Sequence, residues 1–274
     1  MNFRYLGAFS AALGVVSVAH ANDPDCWLRS VGQVQAKSGV LADVGKVDSG
    51  VKAFNPVTME PKMLGYFNKA SKVDGNSSSF MTSEGFVKYG ELCLTSNGVL
   101  NGSASGKFLT GGSDPDPGFN LEFKDQIEFY NPSVEFGQSL NWRICLITNY
   151  DLSSVNALSN HSIESMVQLQ GSSAVKRTVT GASGQKIDCI DVKIDNGDSL
   201  GLRGTLKHIA EYNSQSGLFK PSMFSCTYIK IESLDGLGKF KACSGATYTA
   251  VPEPGTLFAL AAGVVGFIKR RKSA

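Results

Sequence analysis

Alternation of apolar and polar residues with a period of two is the main pattern along this chain, and it predicts β-strands. Residues 190–195 read Ile-Asp-Val-Lys-Ile-Asp, and apolar residues recur with the same period at Leu200 and Leu202. The dipeptide Asn196-Gly197 lies between these runs and favours the type I′ turn that matches the twist of paired strands. We therefore predict a β-hairpin that turns at Asn196-Gly197.

A second hairpin is predicted from residues 227–231, through a turn at Asp235-Gly236, to Phe240. Further runs of β-branched and aromatic residues predict strands at residues 91–95, 119–123, 127–130, 142–148, 166–170 and 247–251. The chain is therefore expected to be mainly β. We expect residues 22–250 to form a single antiparallel β-sandwich with jelly-roll-like connections, because this length can bury one sizeable core.

Three segments leave alternatives open. Residues 162–170 and 203–212 each fit a short helix as well as a strand. Residues 101–118 are rich in glycine, serine and proline, which predicts a long, turn-rich connection. We favour a surface loop within one sandwich. The other interpretation is a boundary between a small N-terminal region and a C-terminal region with four cysteines.

Residues 1–21 have the features of a secretory signal peptide. Arg4 supplies a positive charge, residues 6–19 are mostly apolar, and Ala19-His20-Ala21 has the small-x-small pattern that precedes a cleavage site. We expect export by the Sec machinery and cleavage by signal peptidase after Ala21. An uncleaved anchor is the alternative.

Residues 251–274 contain three parts in a fixed order. Pro252-Glu253-Pro254 comes first and excludes helix, because each proline fixes its own φ and restrains the residue before it. Residues 257–268 are an uncharged apolar run that would reach about 18 Å as a helix. The hydrocarbon core of a bilayer is about 30 Å thick, so a transmembrane helix here would require local thinning.

A basic cluster follows the apolar run and consists of Lys269, Arg270, Arg271 and Lys272. Cations directly after an apolar segment favour the cytoplasmic side of the membrane. The cluster is therefore expected to hold its end of the segment in the cytoplasm.

The combination of Val251, Pro252, Glu253, Pro254 and Gly255 with a short apolar run and a basic end resembles the PEP-CTERM sorting signal. This signal occurs in Gram-negative bacteria that make exopolysaccharide. The resemblance implies recognition by an exosortase, a membrane-embedded cysteine transpeptidase, after transient anchoring in the inner membrane. It also implies delivery to the cell surface or the extracellular matrix, with exopolysaccharide as an expected partner.

The resemblance covers the tail alone. Such tails are also labelled as an ice-binding protein C-terminal domain, a label that carries no information about the body of this chain. A plain C-terminal membrane anchor is the alternative interpretation of the tail.

Removing both end segments changes the sign of the net charge. The whole chain has 26 Lys+Arg and 24 Asp+Glu. Without Arg4 and the four tail cations 21 cations remain, and without Glu253 there are 23 anions, so the body carries about −2. A body of this charge gives no indication of nucleic-acid binding.

All six cysteines lie after the signal peptide, at Cys26, Cys93, Cys145, Cys189, Cys226 and Cys243. An even number in an exported chain favours disulfides, and the absence of a close pair such as Cys-x-x-Cys argues against zinc. We expect three disulfides. Six cysteines allow 15 pairings, and proximity in sequence suggests Cys26 with Cys93 and Cys226 with Cys243.

Few residues of the body suit catalysis. His161 and His208 are its two histidines, and Ser183 in Gly-Ala-Ser-Gly lacks the spacing of a nucleophile elbow. We expect His208 on a half-buried face, His161 in a polar loop and Ser183 in a tight turn. No catalytic residue is therefore predicted.

Acidic residues cluster at two turns, near residues 114–116 and 191–198. A calcium site needs six to eight oxygen ligands, and neither turn has the EF-hand spacing. Glu122 and Glu128 are a conceivable glycosidase pair, but any β protein offers such pairs by chance. We therefore predict no metal and no cofactor.

Aromatic residues on an exposed face would suit glycan, because sugar rings stack their C–H faces on aromatic rings. The candidates are Tyr66, Phe67, Phe86, Tyr89, Tyr130 and Trp142, most of which are expected in the core. The preferred function is a non-catalytic surface or exopolysaccharide-matrix protein that binds glycan or acts as an adhesive. A secreted hydrolase of polysaccharides or esters is the alternative, and ice binding is disfavoured because the chain has no Thr-x-Thr ladder.

Overall fold

The computed structural model describes residues 26–109, 120–152, 160–181, 183–214 and 217–249. All regular structure in these residues is β. The strands are β1 Trp27–Ser38, β2 Leu41–Asp48, β3 Lys52–Ala53, β4 Met63–Asp74, β5 Ser77–Lys88, β6 Glu91–Asn101, β7 Ala104–Leu109, β8 Leu121–Tyr130, β9 Ser139–Asp151, β10 Asn160–Leu169, β11 Val175–Val179, β12 Ser183–Asp195, β13 Ser199–Asn213, β14 Leu218–Phe219, β15 Ser222–Ser233 and β16 Lys239–Ala242.

The strands form two antiparallel sheets. The first sheet has the order β11-β10-β13-β7-β1-β8-β16, and β2 and β3 also pair with β1. The second sheet has the order β12-β9-β15-β6-β5-β4, and β14 pairs with β6. The predicted mainly β fold is confirmed, and the jelly-roll-like connectivity stays a prediction.

Two short strands, β7 and β8, lie end to end between β1 and β13. β7 pairs with one half of β1 and β13, and β8 pairs with the other half. Asn120 bridges the gap: its carbonyl accepts from the Val31 amide at 2.7 Å and its amide donates to the Leu206 carbonyl at 2.9 Å. Hydrogen bonding to both neighbours thus continues between the two short strands.

One hydrophobic core lies between the sheets. It contains residues of both inner faces, such as Phe123 and Leu206 of the first sheet and Leu94 and Ile231 of the second. Strand alternation explains this arrangement, because every second side chain of a strand points to the same face.

Both predicted hairpins are wrong. The chain does turn at Asn196-Gly197, where the Asp198 amide donates to the Asp195 carbonyl at 3.0 Å. However, β12 pairs with β9 in the second sheet, whereas β13 pairs with β10, β7 and β8 in the first. The turn at Asp235-Gly236 likewise joins β15 of the second sheet to β16 of the first. A tight turn reverses the chain, but pairing depends on which strand edges are free.

Residues 162–170 and 203–212 belong to strands β10 and β13 apart from the final residue of the first segment, so their strand interpretation is correct. The predicted connection at 101–118 is wrong over residues 104–109, which form internal strand β7, and residues 110–118 lie outside the described ranges. The predicted strand at 247–251 is also wrong for residues 247–249, which belong to no strand. Within the described ranges, no helix has the length and apolar character that a bilayer crossing requires.

Candidate functional site

The residues predicted for sorting and cleavage lie outside the described part of the chain: Ala19, Ala21, Val251, Pro252, Glu253, Pro254, Gly255, Lys269, Arg270, Arg271 and Lys272. The described body ends at Thr249, close to the start of the predicted sorting motif. The nearest described feature is the contact between the body and its own last residues.

Three side chains fix the end of the body, and we call Asp125, Ser244 and Tyr248 the C-terminal clamp. The Asp125 carboxylate is fully buried and accepts from the Ser244 amide at 3.1 Å, the Ser244 hydroxyl and the Tyr248 hydroxyl at 2.7 Å. Burial raises the pKa of the Asp125 carboxyl, and the hydrogen bonds from Ser244 and Tyr248 oppose that rise. The clamp thus joins β8 to the segment that follows the last strand.

The ring of Tyr248 is part of the core. Its centroid lies 6.3 Å from that of Phe123 and 6.2 Å from that of Phe240. Its carbonyl accepts from the Ile231 amide at 3.0 Å, and its φ of 46° lies in the left-handed region. A non-glycine residue is held there only when its surroundings determine the conformation. The body is therefore firmly packed up to Tyr248.

A disulfide between Cys26 and Cys243 joins the two ends of the body. The Cys243 amide donates to the Gln126 carbonyl at 2.8 Å, and the Phe54 amide donates to the Cys26 carbonyl at 2.9 Å. The start of β1 and the end of β16 therefore lie at the same place. We call the end of the sandwich that contains this disulfide and the C-terminal clamp the clamp end.

A cleft of about 500 Å³ lies beside the clamp. Its walls include Tyr89, Tyr228, Lys62 and the ion pair between Lys88 and Glu91. Burial raises the pKa of the Tyr89 and Tyr228 hydroxyls, so both remain protonated at neutral pH. The cleft offers aromatic surface with one cation and one ion pair.

All six cysteines form disulfides, as predicted, but both suggested pairings are wrong. The bonds are Cys26–Cys243, Cys93–Cys226 and Cys145–Cys189. The last two join residues that stand directly opposite each other on neighbouring strands. The strands of a sheet bring distant residues together, so proximity in sequence was a poor guide.

His208 is fully buried between the sheets, and its predicted half-buried position is wrong. Its Nδ1 lies 3.0 Å from the Ser96 hydroxyl, and its Nε2 lies 2.7 Å from the Ser225 hydroxyl. Burial lowers the pKa of His208 to about 3. The imidazole is therefore neutral at neutral pH and serves to satisfy two buried hydroxyl groups.

The other two candidates for nucleophilic chemistry lie on strands. His161 is the second residue of β10 and not part of a loop, and Ser183 begins β12 and not a tight turn. The Ser183 hydroxyl donates to the Asp151 carboxylate at 2.5 Å. Its described partner is thus an acid rather than a histidine.

The acidic candidates are occupied by cations or hydroxyls of the protein. Arg143 pairs with Asp191 at 2.7 Å, and the Ser139 hydroxyl donates to Asp195 at 2.5 Å. The pKa of Asp191 is lowered by its hydrogen bond from Arg143. Residues 114–116 lie outside the described ranges.

Glu122 and Glu128 do not form a glycosidase pair. Glu122 is buried and pairs with Arg203. Both glutamates lie on β8, six residues apart, which corresponds to about 20 Å along a strand. The carboxyl groups of a glycosidase pair are separated by roughly 5–9.5 Å.

One group of potential metal ligands occurs at the clamp end. A sulfur of Cys26, a sulfur of Cys243 and a carboxylate oxygen of Asp125 lie within 4.8 Å of one another. The two sulfurs are bonded to each other, however, and metal binding requires the thiolate. The chemistry of this group does not fit a metal site.

The six aromatic candidates are distributed between core and surface. Tyr66 and Trp142 are buried, and Phe86, Tyr89 and Tyr130 are half-buried. Phe67 is 56% exposed on the outer face of β4. Phe86 stands diagonally across from it on β5, opposite Gly65, which has no side chain to cover the ring.

The outer face of the second sheet carries a second apolar cluster, which we call the disulfide face. Phe86 and Phe224 pack against it, and Phe67 adjoins Phe86. The members of the cluster are Cys93, Cys145, Ile147, Cys226 and Tyr228. The sheet thus presents apolar and aromatic side chains on both of its faces.

Sequence reasoning missed the C-terminal clamp and the disulfide face. A signal for the clamp was present: Asp125 occupies an inward position in the alternation of Leu121, Phe123, Ile127 and Phe129. A carboxylate at a core position indicates a buried hydrogen-bonded group. The disulfide face had no comparable signal, because its strands come from distant parts of the chain.

The end of the body leads directly into a segment that is similar to a known family. Residues 250–272 match the PEP-CTERM protein-sorting motif. This match confirms the resemblance seen in the tail and implies an exported, exosortase-sorted protein directed to the cell surface. No curated protein matches the chain.

Proposed function

We propose that this PEP-CTERM protein is a non-catalytic component of the cell surface or exopolysaccharide matrix, and that its body binds glycan. In this proposal residues 1–21 are a signal peptide, residues 22–250 form the body and residues 251–274 form the sorting signal. The apolar run at 257–268 crosses the inner membrane as a short helix until the exosortase acts near Pro-Glu-Pro.

The observation that carries glycan binding is the aromatic part of the disulfide face. Phe67 and Phe86 are diagonal neighbours on adjacent strands, a relation that brings large side chains within reach of each other. Lys88 lies 6.0 Å from the centre of the Phe86 ring and adds a hydrogen-bond donor. Phe67 is 56% exposed and Phe86 is half-buried, so this part of the face offers aromatic surface to a ligand, whereas the cluster beneath it is buried.

The positions of the catalytic candidates support a non-catalytic role. A general base needs a pKa near the working pH, whereas burial keeps His208 neutral with a pKa of about 3. The Glu122 carboxylate forms an ion pair with Arg203, and the Ser183 hydroxyl donates a hydrogen bond to the Asp151 carboxylate. These groups stabilise the sandwich.

Affinity electrophoresis tests the proposal. The mature protein, isolated from the host cells, is run through gels that contain exopolysaccharide purified from the same cells. We expect retardation of the wild-type protein, and a loss of roughly tenfold in affinity, or about 1.4 kcal/mol, for Phe67→Ala or Phe86→Ala. Phe136→Ala is the matched control, because Phe136 is 85% exposed on a loop outside the disulfide face.

Equal migration of wild-type protein with and without polysaccharide would contradict glycan binding. Release of reducing sugar or hydrolysis of an ester by the purified protein would instead support the secreted hydrolase, provided that the folded His161→Ala, His208→Ala double variant loses that activity.

A further inference from the structure

Strand direction places several loops at the clamp end. β8 ends at Tyr130, which pairs with Lys239 at the start of β16, and β16 leads into Cys243. The loop at 131–138 and the turn at 234–238 therefore lie at the same end of the sandwich, and β16 runs from there back to Cys243. The last described segment returns toward this end, because the Tyr248 carbonyl accepts from the amide of Ile231, just before the turn at 234–238. The loop at 54–62 begins there too, because the Phe54 amide donates to the Cys26 carbonyl.

Each of these loops exposes an apolar side chain. Val57 is 90% exposed, Phe136 85% and Leu237 63%. A single exposed apolar residue needs no explanation, but three protruding residues on separate loops of one end form a discontinuous apolar surface. The same loops carry Glu135 and Asp235, so attraction to anionic groups is not what distinguishes this end.

The loops present these side chains rigidly. The side-chain amide of Asn196 donates to the backbone carbonyls of Val134 and Glu135 at 2.7 and 3.2 Å. The Phe136 ring covers Gly197 so closely that a Cβ there would lie 1.9 Å from the ring. The turn of Leu237 is held by its own amide, which donates to the Asp235 carboxylate at 3.0 Å.

The length of the chain beyond the clamp limits how far this end can be from the membrane. Tyr248 is packed into the core, and the apolar run begins at Leu257. The eight residues 249–256 can reach at most about 28 Å even when fully extended. β13, with 15 residues, is about 50 Å long, so the linker cannot span the sandwich.

We propose that the clamp end faces the lipid bilayer before sorting, with Phe136, Leu237 and Val57 in contact with phospholipid. This inference rests on the proposed insertion of residues 257–268 into the inner membrane. The clamp and the Cys26–Cys243 disulfide shorten the path between body and membrane. In this orientation the strands of the second sheet run away from the bilayer. The disulfide face then points parallel to the membrane surface and remains accessible to polysaccharide.

Fluorescence quenching in vesicles tests this orientation. Residues 22–274, the form proposed to exist between signal cleavage and sorting, are reconstituted into phosphatidylcholine vesicles, with and without brominated acyl chains, in the variants F136W and L237W. V40W is the matched control, because Val40 is 92% exposed on the β1–β2 turn at the opposite end. The fluorescence of Trp27 and Trp142, measured in the wild-type chain, is subtracted.

We expect brominated lipid to remove most of the added fluorescence of F136W and L237W and to leave that of V40W unchanged. Iodide dissolved in the water should quench the added fluorescence of V40W more strongly than that of F136W and L237W. Vesicle flotation separates the two ways in which the proposal can fail. A chain that does not float overturns both the membrane insertion of the tail and the orientation; a chain that floats but shows equal quenching at both ends overturns the orientation alone.

Discussion

The two sheets differ in the chemistry that links their strands. In the second sheet two pairs of neighbouring strands are joined covalently, by Cys93–Cys226 and Cys145–Cys189. In the first sheet neighbouring strands are linked by ion pairs, and its disulfide, Cys26–Cys243, joins the residues that flank β1 and β16. The ion pairs are Arg29–Asp48, Arg203–Glu122, Lys207–Glu164 and Lys107–Glu211. The first sheet also contributes the buried titratable groups His208, Asp125 and Glu122.

Because of this difference, we expect the stability of the two sheets to respond to different solution conditions. Disulfides are insensitive to salt, whereas ion pairs and buried titratable groups respond to salt and to pH. The sheet that carries the proposed glycan face is the one in which disulfides join directly neighbouring strands. Outside the cell, its surface is therefore expected to keep its shape over a wider range of pH and salt than the first sheet.

Removal of the long-range disulfide of the second sheet should have the largest effect. Cys93→Ala with Cys226→Ala opens a loop of 133 residues, and the loss of loop-closure entropy predicts a decrease of about 4–5 kcal/mol in the free energy of unfolding. The Cys145–Cys189 loop has 44 residues, so its removal should cost about 1 kcal/mol less. Urea unfolding of the secreted protein measures both. The opposite order would show that packing, rather than loop closure, determines the loss.

Acid should destabilise the protein through His208. Its pKa is about 3 in the folded state and about 6.5 when unfolded, so the unfolded state binds more protons between these values. The stabilisation is complete above about pH 6.5 and is lost as the pH falls toward 3, by up to about 1.4 kcal/mol per pH unit. Asp125 acts in the opposite direction, because its folded-state pKa is raised.

The His208→Gln variant isolates this contribution. Gln keeps a side chain that can hydrogen-bond to Ser96 and Ser225 but does not titrate. Urea unfolding at a series of pH values should give a smaller slope for the variant than for wild type between pH 6.5 and 4. Equal slopes in that range would show that His208 does not carry the acid sensitivity.

The ion pair of the buried Glu122 with the exposed Arg203 should contribute more than a pair in which both partners are exposed. Arg203→Met should lower the free energy of unfolding by about 2 kcal/mol, because the Glu122 side chain beside it is only 3% exposed. The control is Lys107→Met, which removes the partner of the exposed Glu211 and should cost less than about 1 kcal/mol. Thermal unfolding measures both variants, and equal losses would contradict the role of burial.

Exposed ion pairs should have the smallest effect. A double-mutant cycle on Lys107 and Glu211 should give a coupling of about 0.2–1 kcal/mol that decreases in high salt. A cycle on Arg143 and Asp191 of the second sheet should show the same decrease. We expect the coupling energies of both pairs to fall in high salt. A coupling energy that persists in only one of the two sheets would show that exposed ion pairs also differ between the sheets.

Local patterns were sufficient for part of this protein. Period-two alternation in residues such as Leu121, Phe123, Ile127 and Phe129 directly reports which side chains face the core, and it predicted the β class. The tail motif is likewise local, because its prolines, apolar run and cations act through their order along the chain. The number of disulfides followed from an even count of cysteines in an exported chain.

The pairing of strands could not be predicted in the same way. Asn196-Gly197 and Asp235-Gly236 have the composition of hairpin turns, yet each carries the chain from the second sheet to the first. Turn chemistry fixes only the local backbone angles, whereas the partner of each strand depends on hydrogen bonds to strands far away in sequence. The same non-local pairing determined the disulfide connectivity.

The β class and the sorting motif can be predicted from residue order over short distances, and the number of disulfides from the count of cysteines in an exported chain. The neutral state of His208, the C-terminal clamp and the disulfide face depend instead on contacts between residues far apart in sequence. His208 becomes a buried acceptor and donor because Ser96 and Ser225 come from strands of the other sheet. Asp125 becomes a clamp because the chain returns 119 residues later to place Ser244 beside it.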